Sequence, residues 1–330
     1  MGGGLRCFRL ICPPIESTFM SDLTPSDATK AGATVIKARG RDGRWTTVLL
    51  FLPPALLLFT LFVFLPLIEG GQYAGYKWSG YGEGPTDWRG MRNFETLSGN
   101  STFLRSFNNT LIFVAVAILI QIPLGMAMAL MIYRKTWANT IFRLVFFVPF
   151  ILAEVATGLI WSFIFDGDYG VTSIFSTWFD WEKVFPLSDR TWALPVLLFV
   201  FVWKYFGFHM MIFIAALQSI PEDLIEASRI DGAKPGQIVR YVQIPLLKPA
   251  IAVSVFFAVV GSLQLFDLII PLTRGGPSNT THTLVSYLYN FGLVRQKVGF
   301  GSAVGVVLFV VSFIFAITYR ATVMKARTEQ

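Results

Sequence analysis

Six long apolar runs constrain this chain more than any other feature: Thr46–Ile68, Thr110–Tyr133, Ile141–Phe165, Trp192–Leu217, Ala250–Leu272 and Ser302–Tyr319. A helix of about 20 apolar residues crosses the hydrocarbon core of a bilayer, and within lipid each backbone polar group must find its partner inside the segment or on a neighbour. A barrel would instead need short strands of alternating polarity. The 28 Gly and 17 Pro scattered through apolar sequence fit a helical bundle better. Charged residues make up 14% of the chain, against about 25% in soluble domains. The expected fold class is therefore all-α: a polytopic membrane protein of six transmembrane helices over residues 46–322. A polar tail over 1–45, expected to be largely disordered, and a short tail over 323–330 flank it.

Topology follows from the basic residues. An even number of spans puts both ends on one side. Seventeen Lys and Arg fall in the tails and loops of that side, against nine on the other. The excess predicts cytoplasmic N- and C-termini and a cytoplasmic 219–249 loop. The net charge of +7 is spread along the chain rather than gathered into one basic face with interleaved aromatics, which argues against nucleic acid as a partner and for the lipid bilayer. The outer loops are rich in Trp and Tyr, as expected of interfacial anchors. Cys7 and Cys12 lie in the N-terminal tail without metal-ligand spacing.

The loop over 219–249 has a pattern of its own. Pro221, Glu222 and Asp223 suit the first turn of a helix, where acidic side chains complement the positive end of the dipole. Leu224, Ile225, Ala227 and Ile230 form a short apolar stripe. Gly232 falls where a left-handed residue would stop that helix, and Pro235 can start a second one carrying Ile238, Val239, Val242 and Ile244, with Pro245 expected to end it. Two short amphipathic helices in the cytoplasm need a partner to cover their apolar faces.

Catalytic signatures are missing. The chain contains no GxxxxGK[ST], HExxH or GxSxG, and its two histidines are His209 and His282. No catalytic residue and no metal ligand set is assigned, and a nucleotide-driven machine built on this chain must borrow its ATPase from another. Inside the spans lie Glu154, Lys204, His209 and Asp267. Ordinary expectations are interfacial snorkelling for Glu154 and Lys204 and a helix–helix hydrogen bond for Asp267. His209, mid-span beside Tyr205, Phe206 and Gly207, suits a sugar, whose apolar face stacks on aromatic rings while its hydroxyls seek hydrogen bonds.

The 219–249 loop closely resembles the EAA signature of permease subunits of binding-protein-dependent ABC importers. Glu226-Ala227-Ser228, then Asp231-Gly232-Ala233, then Val242-Gln243-Ile244-Pro245 match the pattern, with Ser228 and Val242 as small departures. Gln218 to Pro221 is similar to the carbohydrate-uptake branch. Leu272-Thr273-Arg274-Gly275-Gly276-Pro277, followed by Thr281, Tyr287 and Tyr289, is similar to the LTxGGP region of the first of two unlike permeases in maltose/glycerol-phosphate type systems. Arg274 stands where many relatives have Gly. Asn93-Phe94 and Asn109-Thr110 resemble further landmarks.

The resemblance implies a bacterial inner-membrane permease that forms half of a heterodimeric pathway for a sugar or sugar derivative. Its implied partners are a second permease, an ATPase dimer that holds ATP and Mg, and a periplasmic solute-binding protein; no cofactor is bound by this chain. It assigns coupling to the ATPase to Glu226, Ala227, Ser228, Asp231, Gly232 and Ala233. It places Tyr205, Phe206, His209, Ser262 and Leu265 on the substrate pathway, and Gln264 joins them as a polar neighbour. Lys204 or a protonated His209 would favour an anionic sugar. Glycerol phosphate or a polyol is the alternative cargo within the family. An ion-coupled secondary carrier would call for paired carboxylates or repeated broken helices and no EAA loop; a membrane enzyme would need the missing catalytic cluster.

Overall fold

A computed structural model describes residues 42–82, 84–180 and 182–324. Most of the N-terminal tail, with both cysteines, and residues 325–330 lie outside the described residues. The chain divides into two compact units, Met1–Phe62 and Val63–Gln330. Of the first, the described part is the apolar helix Asp42–Phe59 and its continuation into a π turn at Thr60.

The second unit is helical, except for a two-residue antiparallel ladder pairing Tyr76 with Trp88 and Lys77 with Asp87 in an outer loop. Among the described residues four helices are long and apolar enough to cross a membrane: Thr47–Tyr73, Ser101–Ile132, Ala193–Gln218 and Val298–Thr322. The count rises to six if each of two bent pairs is one span.

The bent pairs depart from the expected continuous spans. The run expected at Ile141–Phe165 is two helices, Trp137–Ile151 and Glu154–Ile164, meeting at 98°. Leu152 and Ala153 between them are extended, with ψ of 139° and 137°. An acidic residue suits the first turn of a new helix, so Glu154 begins the second half rather than reaching for an interface. The helix from Pro235 runs to Leu246, past Pro245, and meets Lys248–Leu263 at 65°. The span expected to reach Leu272 stops at Leu263, and Ile269–Thr273 is a separate turn.

Helix Ala193–Gln218 is the centre of the main core, and Leu197, Val200, Phe201, Met210 and Phe213 are buried against Phe113, Ala117 and Ala129 of Ser101–Ile132. Glycines permit the close crossings. A Cβ on Gly125 would sit 3.0 Å from the Phe206 carbonyl oxygen, and one on Gly207 would sit 2.1 Å from that of Phe146. A second core packs Leu97 and Phe103 against Tyr287, Ala303 and Val304.

The landmark residues have local reasons. Asn109 Nδ2 donates to the Thr280 and His282 carbonyls, and Thr110 Oγ1 accepts from Leu284 N–H. Together they tie the 274–283 loop to the second span. Asn93 Nδ2 bridges the Ala74 and Tyr76 carbonyls. Thr281 Oγ1 meets Thr273 Oγ1 at 2.8 Å and donates to the Gly276 carbonyl. Arg274 has φ of 51°, a left-handed position, which is the physical reason a Gly suits it.

Candidate functional site: a mid-span cavity and a helical hairpin

The broken helix leaves polar backbone groups to be satisfied. The last carbonyls of a helix have no partner within it, and lipid supplies none. Lys204, 1% exposed, answers this: its Nζ donates to the Leu152 carbonyl at 2.7 Å and reaches that of Pro149 at 3.4 Å. The ammonium thus caps the negative end of Trp137–Ile151, while Glu154 occupies the positive end of Glu154–Ile164. One turn of geometry complements both half-helix dipoles. Snorkelling is therefore corrected for both residues: Lys204 is buried, and Glu154 Oε1 accepts a 2.5 Å hydrogen bond from Tyr205 Oη.

Beside this break lies a cavity of about 450 Å³, in the range of small-molecule sites. One wall is aromatic, with Phe150, Phe201, Tyr205, Phe208 and Phe257. Phe150 stacks on Phe208 at 4.9 Å, and Phe208 meets Phe257 edge-on at 5.5 Å. Polar groups converge from Gln121, Glu154, His209, Gln264 and Asp267. Gln121 and His209 are 1% and 2% exposed, yet Gln121 Oε1 and His209 Nδ1 have no hydrogen-bond partner among the described residues. Buried polar atoms without partners are costly, and neither of these is open to the cavity space.

Of the six residues expected on the substrate pathway, five line this cavity: Tyr205, His209, Ser262, Gln264 and Leu265. Phe206 does not. Its helical position turns it away, and it packs edge-on against Phe146 at 5.9 Å. Ser262 spends its hydroxyl proton on the Ala258 carbonyl at 2.7 Å. Asp267, expected in a helix–helix hydrogen bond, is exposed on the cavity wall and bonds to no described residue. Gln121, Phe150 and Glu154 come from the second and third expected spans, and sequence reasoning missed their place here. Pro149 followed five residues on by an acid within an apolar run was the available signal for the break. Lys204 is not on the wall: it lies behind the Tyr205 ring, 5.6 Å from its centroid.

The second feature is the loop after Gln218. Helix Glu222–Ile230 ends at Gly232, whose φ is 81° and whose N–H donates to the Arg229 carbonyl. A Cβ there would meet nothing within 4 Å, so the backbone angle and not space is what requires glycine. Ala233 N–H closes the turn on Ser228, whose hydroxyl donates back to Leu224. The next helix, Pro235–Leu246, starts after the turn. Glu226, Ala227, Asp231 and Gly232 are exposed, Ser228 and Ala233 half-buried. Ile230 is 87% exposed, an apolar side chain presented at the tip of the hairpin.

From the hairpin's second helix Gln243 Nε2 donates to Tyr133 Oη at 3.4 Å, beside the end of Ser101–Ile132. Arg143 donates to the carbonyls of Ile132, Tyr133 and Arg134, capping the end of Ser101–Ile132, and Gln218 Nε2 adds a 2.9 Å bond to Tyr133. A cleft of about 500 Å³ opens there between Arg134, Arg229 and Ala233. Among the described residues no group of His, Cys, Asp and Glu is placed to hold a metal ion.

Comparison with known proteins agrees with this architecture. The chain is 33% identical to a probable starch degradation products transport system permease protein of Thermoanaerobacterium thermosulfurigenes, over 84% of its length and 93% of the relative's. It is 29% identical to the multiple sugar-binding transport system permease protein of Streptococcus mutans, over 84% and 94%. Its fold is similar to that in the crystal structure of a bacterial ABC transporter involved in the import of the acidic polysaccharide alginate, with a TM-score of 0.76, 24% identity, and 86% and 96% of the two chains covered. Residues 121–328, which hold the cavity and the hairpin, match the family described as the binding-protein-dependent transport system inner membrane component. The chain belongs to that family: it is a multi-pass inner-membrane permease, a transport subunit and not an enzyme.

Proposed function

We propose that this chain is one half of the translocation pathway of an ATP-driven importer of a sugar or sugar derivative, coupled to a separate ATPase through the hairpin at Gly232. The hairpin carries the reading: an exposed helix, a left-handed glycine turn and an uncovered Ile230, with Gln243 of its second helix bonded to Tyr133 at the end of the second span. Glu226, Ala227, Ser228, Asp231, Gly232 and Ala233 are its coupling surface. ATP and Mg reside on the ATPase dimer, and a periplasmic solute-binding protein and a second permease complete the machine. Both termini and the hairpin face the cytoplasm, in keeping with the excess of basic residues on that side. The starch-product and multiple-sugar systems of the relatives support a carbohydrate cargo. The mid-span cavity is its passage, with Tyr205, His209, Ser262, Gln264 and Leu265 on the path and alternating access around them.

Gly232→Pro tests the coupling. Proline holds φ near −65° and lacks the N–H that Gly232 donates, so the turn cannot form. The variant inserts into the membrane but loses uptake and no longer co-purifies with the ATPase. Wild-type transport by Gly232→Pro would remove the hairpin from the mechanism.

A further inference from the structure

The charge on the cavity wall sorts its guests. The anionic cargo that Lys204 suggested has no support in the geometry, because the ammonium is spent on the Leu152 and Pro149 carbonyls behind the Tyr205 ring. What reaches the cavity instead are two carboxylates, Glu154 and Asp267. Glu154 keeps Tyr205 Oη as a donor to one oxygen, and Asp267 is exposed with no bond to a described residue. Even with Lys204 counted in full, the three groups leave the cavity one negative charge. Independent of the acids, Gln121 and His209 belong to the same wall, with Gln121 Oε1 and His209 Nδ1 buried and without partners among the described residues.

We infer that this cavity passes uncharged or amine-bearing sugars and rejects carboxylated, sulfonated and phosphorylated ones, with Glu154 and Asp267 as the specificity-determining residues. The chemistry is consistent on both sides. Sugar hydroxyls and a protonated amine donate to Glu154 and Asp267, while the aromatic wall of Phe150, Phe208 and Phe257 takes the apolar ring face. An anionic sugar brings acceptors where acceptors already stand. A like charge about 7 Å away in a wet cavity repels with an energy worth several-fold in occupancy, and an opposite charge gains as much.

This inference rests on the cavity being the transport passage, and the experiment separates the two. Gly261 lines the cavity and has nothing within 4 Å of its Cβ position, so a thiol fits there. In the assembled transporter, with Cys7→Ser and Cys12→Ser, Gly261→Cys is treated with a cationic and an anionic methanethiosulfonate of similar size, and sugar uptake is followed in parallel. The cationic reagent is expected to react roughly tenfold faster than the anionic one, after correction for their rates with a free thiol. Adding Glu154→Gln and Asp267→Asn is expected to bring the corrected ratio close to one. Equal rates, or a faster anion, in a transporter that still imports sugar would overturn the charge selection and leave the pathway standing. A thiol that reacts with neither reagent, in a transporter that imports normally, would overturn both.

Discussion

Gly207→Ala isolates the physics that brings the broken helix against the central one. Gly207 sits in Ala193–Gln218, and an added Cβ would lie 2.1 Å from the Phe146 carbonyl oxygen, 3.0 Å from its carbon and 3.3 Å from Phe147 Cα. All three are backbone atoms, so no rotamer change relieves the clash, and the helices must part by about 1 Å. Helix propensity alone favours alanine by about 1 kcal/mol. Overpacking costs about 1–3 kcal/mol, and backbone on both sides puts this site at the upper end. The net expectation is a loss of about 2 kcal/mol. Gly261→Ala is the control, because nothing lies within 4 Å of its Cβ, and propensity should there give a neutral or slightly stabilised protein. Thermal loss of a monodisperse, detergent-solubilised transporter reads both variants, with Gly207→Ala melting several degrees below Gly261→Ala. Lys204 and Tyr205 reach across the same crossing, so uptake by Gly207→Ala should fall as well. Coincident melting points, or a stabilised Gly207→Ala, would refute the close-approach argument.

Lys204→Met leaves the Leu152 and Pro149 carbonyls unpaired at about 1–3 kcal/mol each while removing the burial cost of an ammonium. The expected net destabilisation is about 2 kcal/mol with reduced uptake, and a variant as stable as wild type in the same melting assay contradicts the capping role. His282, in the loop after the fifth span, has its imidazole pushed down to about 4 by burial, with nearby Arg295 adding to the effect. Between pH 6.5 and about 4 the unfolded chain holds the extra proton, so stability declines as pH falls through that window, by on the order of 3 kcal/mol in all. His282→Gln should flatten that part of a pH–melting profile; an unchanged slope would assign the acid sensitivity elsewhere.

Much of the architecture was legible because lipid restricts the options. Long apolar runs must be helices, because within the bilayer backbone groups find partners only inside the segment or on a neighbour. The hairpin was legible too, since Gly232 and Pro235 act through their own backbone angles and the residues that matter are contiguous. The break after Ile151 was harder. Hydropathy reads Ile141–Phe165 as one run, because both half-helices that meet at 98° are apolar and composition carries no trace of the angle between them. Lys204 misled for a related reason: a charged side chain in a span announces a partner without naming it, and here the partner is a pair of backbone carbonyls 52 and 55 residues earlier.

The sequence by itself determined the helical class, the position of each apolar run, the hairpin turn and the family resemblance, all of which depend on local periodicity or on adjacent residues. Tertiary structure alone decided which side chains share the cavity. Helix rotation sends Phe206 to Phe146 while Tyr205 and His209 face inward, and it brings Gln121, Phe150, Glu154 and Asp267 from distant segments to meet them. It also decided the sign of the cavity's charge, because direct hydrogen bonds spend Lys204 on the backbone and leave the carboxylates of Glu154 and Asp267 on the wall.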